Sequence, residues 1–308
     1  IFYLVHLQFI YYIMLSVKTK NYIHLHLLVI IAGFTAIIGE LITLEAVPLV
    51  WYRMIIAALL MIIYIKLKKF SLKVPLKVVI QFSIAGVIIA LHWITFFAAI
   101  KVSNISITLA MFSTGAFFAS LIEPLFFKRK IIGYEIFFGL IVFIGVGLIT
   151  QTEFKYLMGI VLGISSALFS TLFAVLNGRF VKNYKPSIIS FYEFIFGVVF
   201  ISIFLALSGD GFSLGYFRLS SSDWIYLFIL ASICTAYAFI GSVQVMKYLT
   251  PYSVVLTYNL EPIYGIVLAL VLFPESETMQ PLFYLGACLI ICTVLLNALF
   301  KNIKKPKI

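Results

Sequence analysis

The sequence predicts an all-α integral membrane protein, with ten transmembrane helices arranged as two inverted five-helix repeats. First, 64% of its 308 residues are hydrophobic and only 11% are charged, with mean hydropathy +1.17. Soluble domains are about half apolar and a quarter charged. Second, apolar runs of about twenty residues recur between short polar breaks, and that is the length of helix that crosses a roughly 30 Å hydrocarbon layer. Barrel strands would alternate in polarity and end near ten residues. Third, the run from Lys247 to Pro262 has a faint copy 146 residues earlier, from Lys101 to Ala116, so the chain is written twice.

Residues 1–23 read as an N-terminal extension and cytoplasmic lead-in. Ile1 to Ile13 are apolar apart from His6 and Gln8, and they lack the basic n-region and small-residue cleavage site of a signal peptide. Met14, followed by Ser16, Lys18 and Lys20, makes the better beginning, so residues 1–13 are expected to be an upstream extension or a misassigned start. Ten spans follow, at about 25–45, 48–66, 77–99, 104–127, 132–150, 156–178, 186–208, 223–246, 252–273 and 281–300. The first repeat covers 24–150 (spans one to five), the second covers 155–300 (spans six to ten), and 301–308 is a basic cytoplasmic tail.

Lys and Arg in short loops set orientation, because they stay on the cytoplasmic side. With the N-terminus inside, eighteen of the 22 basic residues fall in cytoplasmic segments; Lys101, Lys155 and Arg218 fall outside, and Arg53 falls within a span. Adding or dropping one span in mid-chain would destroy that alternation, so it supports both the count and the direction. Both termini are then cytoplasmic. Trp51-Tyr52-Arg53 opens span two, and Phe191-Tyr192-Glu193 takes the corresponding place in span seven, 140 residues on. Halves of five spans must insert with opposite orientation. Such inverted pairs are the recurring build of secondary transporters, with a site near the midplane.

The formal charge of +11 does not point to nucleic acid, since the basic residues sit in alternate loops rather than on one solvated face. Cys234, Cys288 and Cys292 lie inside apolar runs without metal-like spacing and read as packing residues. The sequence carries no HExxH, GxSxG, Walker loop or zinc spacing, so no enzyme chemistry, metal or cofactor is called for. With no soluble domain to hold a nucleotide, transport would be driven by gradients.

Ionisable groups within a bilayer are functional suspects. Glu40 and Arg53 each lie about five residues below the outer end of their spans, so at 1.5 Å per residue they share a level. An ion pair between them is geometrically natural, either as a structural staple or as part of a gate or substrate contact. Glu193 lies towards the cytoplasmic side, where it would bind a proton, a cation or an amine, or hydrogen-bond a neighbouring helix. Glu261 is the deepest; burial disfavours its charged form, which suits a proton carrier and equally a permanently neutral acid. Pro262 lacks an N–H and leaves the Tyr258 carbonyl without its helical partner. That favours a cavity lined by Tyr258, Asn259 and Glu261, against a packed kink. His92 and Trp93 place an imidazole and an indole in the outer half of the same cavity, or simply cross-link helices. Ser113 and Thr114 sit at the repeat-related position and offer neutral hydrogen bonds. Glu123-Pro124, near Lys128-Arg129-Lys130, reads as a capping or gate element. Gly159 and Gly163 form a GxxxG, a signal of close helix contact.

These residues resemble the EamA family of ten-span permeases within the drug/metabolite transporter (DMT) superfamily. The resemblance covers about 24–300 and rests on the two halves, on the Arg53 motif from Leu49 to Leu59, and on the run from Tyr258-Asn-Leu-Glu-Pro262 through Phe273-Pro-Glu275 to Tyr284 and Leu289. It departs where Gly115-Ala116 replaces a usual proline and Lys128-Arg129-Lys130 replaces a Gly-Glu turn. The resemblance implies alternating access and transport, often export, of small metabolites such as amino acids. The expected partners are therefore a small-molecule substrate, protons and the lipid bilayer of a bacterial inner membrane. Rival expectations are an importer or exchanger of an anionic or nucleotide-like metabolite, which calls for more central cations than Arg53, and a non-transporting sensor or scaffold.

Overall fold

The computed structural model describes residues 17–127, 132–208, 211–213, 215–245, 248–249, 254, 257–258 and 260–303. Residues 1–13, Lys128-Arg129-Lys130, Asn259 and residues from 304 onward lie outside that set.

Lipid offers no hydrogen bonds to the backbone, so apolar runs of this length satisfy their own peptide groups as helices. The described residues are all-helical. The first half comprises α1 (Val17–Leu41), α2 (Ala46–Leu67), α3 (Leu76–Val102), α4 (Ile105–Phe112), α5 (Gly115–Phe127) and α6 (Gly133–Thr152). The second comprises α7 (Leu157–Phe180), α8 (Pro186–Leu207), α9 (Ser221–Ala231), a π-helical segment (Ser232–Tyr237), α10 (Ala238–Val245), α11 (Glu261–Leu272), α12 (Pro274–Glu277) and α13 (Pro281–Ile303). Eight helical stretches are long and apolar enough to cross a membrane, and two shorter apolar helices, Glu261–Leu272 and Pro281–Asn297, follow them. Leu59, Ile63, Ile80, Ile84, Phe137 and Leu140 are among the large apolar side chains left exposed, as a lipid-facing surface requires.

Two expected single helices are interrupted. The run at 104–127 breaks at Ser113 and Thr114 between α4 and α5, and the run at 223–246 passes through the π-helical segment. In the second half α11 begins at Glu261, just before Pro262, at the position that repeats Gly115, the first residue of α5.

The halves interlock. Helix α3 packs against α7 and α8, while α9, the π segment and α10 pack against α1 and α2. Helices α4 and α5 lie on α7, as α11 lies on α1; α2 meets α8, and α6 meets α13. Every one of these contacts has its repeat-related mate. The repeat extends to side chains: the Tyr52 hydroxyl donates to the Phe217 carbonyl at 3.2 Å, and the Tyr192 hydroxyl donates to the Leu72 carbonyl at 2.9 Å. Both bonds tie span two or seven to the loop entering span eight or three. The GxxxG glycines also make close contacts, Gly159 against Ser103 and Gly163 against Met111.

Helix ends are stapled by carboxylates from elsewhere in the chain. Asp223 closes a capping box with Ser220 and also accepts from the Thr43 backbone N–H at 2.8 Å and the Thr43 hydroxyl at 2.7 Å. The Lys101 ammonium donates to the carbonyls of Ile42 at 2.6 Å and Glu40 at 3.2 Å, closing the end of α1. Glu277, 1% exposed, accepts from the backbone N–H groups of Ile105 at 2.9 Å and Ser106 at 2.8 Å. It thereby caps α4 across the two halves, while Glu275, the acid quoted in the family resemblance, is exposed. Glu277→Ala should lower the stability of the purified protein by about 2 kcal/mol, because two buried N–H groups lose their acceptor. Glu275→Ala should leave the thermal midpoint unchanged; equal losses in both variants would contradict this assignment.

Candidate functional site

Arg53 sits two turns into α2 and is 2% exposed. Its guanidinium carbon lies 3.8 Å from the centroid of the Trp93 ring on α3 and 5.5 Å from that of Phe97, a cation–π arrangement that is strong when desolvated. Its Nε donates to the Thr235 hydroxyl at 2.8 Å. That hydroxyl donates in turn to the Leu230 carbonyl five residues back, at 2.8 Å. Thr235 belongs to the π-helical segment, and the extra residue per turn there presents its side chain to α2. Arg53 Nη1 is buried without a hydrogen-bond partner among the described residues. Glu261, Cys234 and His92 lie within electrostatic reach of the guanidinium.

Glu193, fully buried on α8, accepts from the Asn177 amide on α7 at 2.8 Å through Oε1. Its Oε2 is buried without a hydrogen-bond partner among the described residues. The Trp93 ring on which Arg53 rests belongs to an aromatic cluster: Trp93 lies 5.7 Å from Phe194 and 6.3 Å from Phe239, and Phe194 lies 5.5 Å from Phe239, between ring centroids.

Glu261 opens α11 and is partly buried. One turn before it, the Tyr258 hydroxyl meets the Ser242 hydroxyl at 2.5 Å. His92 is committed to α7, with Nδ1 2.9 Å from the Ser166 hydroxyl, which donates to the His92 carbonyl at 3.2 Å. Its ring stacks on Phe112 at 5.5 Å. Ser113 and Thr114 donate to the carbonyls of Leu109 at 3.0 Å and Met111 at 2.7 Å, at the α4/α5 break. Their hydroxyl protons are therefore spent on their own turn, and what they offer across the interface is acceptor capacity.

The expected Glu40–Arg53 pair is not formed. Glu40 is exposed near Lys101, while Arg53 turns inward to Trp93 and Thr235. Equal depth did not bring them together because they point from different faces of their helices. Sequence reasoning also passed over Thr235, Asn177, Phe194 and Phe239. Asn177 carried a signal, as a lone amide near the end of an apolar run, and so did the small polar cluster Ser232 to Thr235.

Comparison with known proteins agrees with this architecture. The model of the EamA-like transporter family matches residues 20–151 and 157–299. A solved structure titled only "Crystal structure of protein" superposes with a TM-score of 0.65 at 14% identity, covering 94% of this chain and 100% of that one; at that identity the likeness is one of fold. None of the curated proteins matches the sequence.

Proposed function

Because the chain belongs to the EamA-like transporter family, we propose that it is a secondary transporter that exports a small metabolite, such as an amino acid or a related amphipathic solute, by alternating access. The observation that carries this is Arg53: a buried guanidinium with an open Nη1, set on an aromatic ring where the two halves meet. A permanent charge left short of partners at such depth is costly to keep, and in a membrane protein it marks a pathway. In this reading the protein has ten spans. Halves at 24–150 and 155–300 are related by a two-fold axis in the membrane plane, and both termini are in the cytoplasm of a bacterium. The mated contacts between halves and the helix breaks at Gly115 and Glu261 support that arrangement.

Arg53, Trp93, Glu193 and His92 are all under a tenth exposed, so the site is closed in this conformation and opens when the halves rock. Glu193 and Glu261 are the proton carriers of the reading, each exchanging a proton for substrate on successive faces of the cycle. Glu261→Gln or Glu193→Gln should abolish flux driven by a pH gradient in proteoliposomes while substrate exchange persists. Full gradient-driven flux in both variants would end the proton-coupled reading, and absence of any flux from the natural sequence would end the transporter reading itself.

A further inference from the structure

Two contacts hold the Arg53 guanidinium. It lies 3.8 Å over the Trp93 ring on α3, and its Nε donates to the Thr235 hydroxyl at 2.8 Å. A flat cation resting on a ring keeps its plane but can still turn within that plane, because the attraction of the ring face has no in-plane direction. A hydrogen bond at Nε stops that turn. The plane comes from α3 and the angle from the π-helical segment, and together they decide where the Nη donors point. Of these, Nη1 is buried without a hydrogen-bond partner among the described residues.

Thr235, fully buried, has the right polarity for this task. Its one proton goes to the Leu230 carbonyl at 2.8 Å, so towards Arg53 it offers lone pairs alone, and Nε–H is an obligatory donor. In an α-helix a threonine hydroxyl turns back to the carbonyl three or four residues before it. Here it reaches five residues back, within the wider turn of Ser232–Tyr237. One bond therefore closes the π turn and aims the hydroxyl at α2.

We infer that Thr235 is the positioning residue of the Arg53 site: it sets the in-plane orientation of the guanidinium, and with it the direction in which Nη1 meets the transported solute. This rests on the reading of Arg53 as a substrate contact and adds the residue through which that contact is aimed. A Thr235 that served its own turn alone would leave the behaviour of Arg53 unchanged when its hydroxyl was removed.

The test compares Thr235→Val, which keeps the branched shape and removes the hydroxyl, with Thr235→Ser, which keeps the hydroxyl. Thr235→Ala removes the same hydroxyl and replaces the valine variant if that one does not fold. The first readout needs no solute: hydrogen exchange of the Arg53 Nε–H, followed by nitrogen NMR on the purified full-length chain and identified by its disappearance in Arg53→Lys. Exchange should be slower than at the exposed Arg179 and Arg218, and should speed up roughly tenfold in Thr235→Val, as loss of a charge-assisted hydrogen bond implies, but not in Thr235→Ser. The second readout is counterflow in proteoliposomes of each standard L-amino acid, radiolabelled. For those that move, the half-saturating concentration should rise roughly tenfold in Thr235→Val, with the maximal rate within about twofold, and return in Thr235→Ser. It should rise no further when Thr235→Val is added to Arg53→Lys, whose ammonium has no Nε to hold. Unchanged exchange in Thr235→Val, an unchanged half-saturating concentration beside faster exchange, or losses that add in the double variant would overturn the inference. Failure of the wider reading looks different: if the natural sequence moves no amino acid, amino-acid transport is removed, while the exchange rates still decide whether Thr235 orients Arg53.

Discussion

Arg53→Ala should reduce transport to about a tenth or less of the natural rate. In the proposed reading the guanidinium makes at least one charge-assisted hydrogen bond to the solute, and such a bond contributes about 1.5–3 kcal/mol, or ten- to a hundredfold. Arg53→Lys should recover little of it. A lysine keeps the charge but loses the flat stack on Trp93 and the Nε bond to Thr235. The measurement is counterflow in proteoliposomes of whichever metabolite stabilises the purified protein, with monodispersity on size exclusion as the control for folding. Undiminished counterflow in Arg53→Ala would remove Arg53 from the site and leave it as a structural cation.

Gly86→Val should lower the stability of the purified protein. A Cβ there would lie 2.5 Å from the Glu193 carbonyl oxygen and 3.2 Å from its Cα. The obstacle is backbone rather than a side chain that can swing away. Helices α3 and α8 must separate, at a cost of about 1–3 kcal/mol, and Glu193 moves with them. Gly147→Ala is the matched control, since nothing lies within 4 Å of its Cβ position and alanine is the better helix former. A drop in thermal midpoint for the first and none for the second is the expected pattern; equal behaviour would mean that α3 and α8 are not in backbone contact.

Helix positions along the chain were legible because the bilayer imposes length and apolarity. The expected 186–208 is α8 at Pro186–Leu207, and the expected 77–99 is α3 at Leu76–Val102. Direction around each helix was not legible. A span that is apolar on every side has no polar stripe to reveal its inner face, which is why Glu40 and Arg53 were matched in depth but not in azimuth. The interruption at Ser113–Thr114 carries no proline, and the π-helical turn depends on the Thr235 hydroxyl reaching the Leu230 carbonyl, a bond that no spacing rule announces. Glu277 escaped notice beside Glu275 because only its burial against Ile105 and Ser106 separates the two acids. Arg53, Glu193 and Glu261 stood out as candidates because charge in an apolar run needs no face to be conspicuous.

The exchange of partners between halves has a consequence for biosynthesis. Helix α3 finds α7 and α8 only after the ribosome has made the second half. Until then Gly86 lacks its contact with Glu193 and His92 its bond to Ser166, and the newborn first half is an open hand rather than a finished unit. Chain growth is therefore also a waiting period. A cell that degrades unassembled membrane segments would clear truncated chains that stop after α6, so that neither half is expected to accumulate without the other.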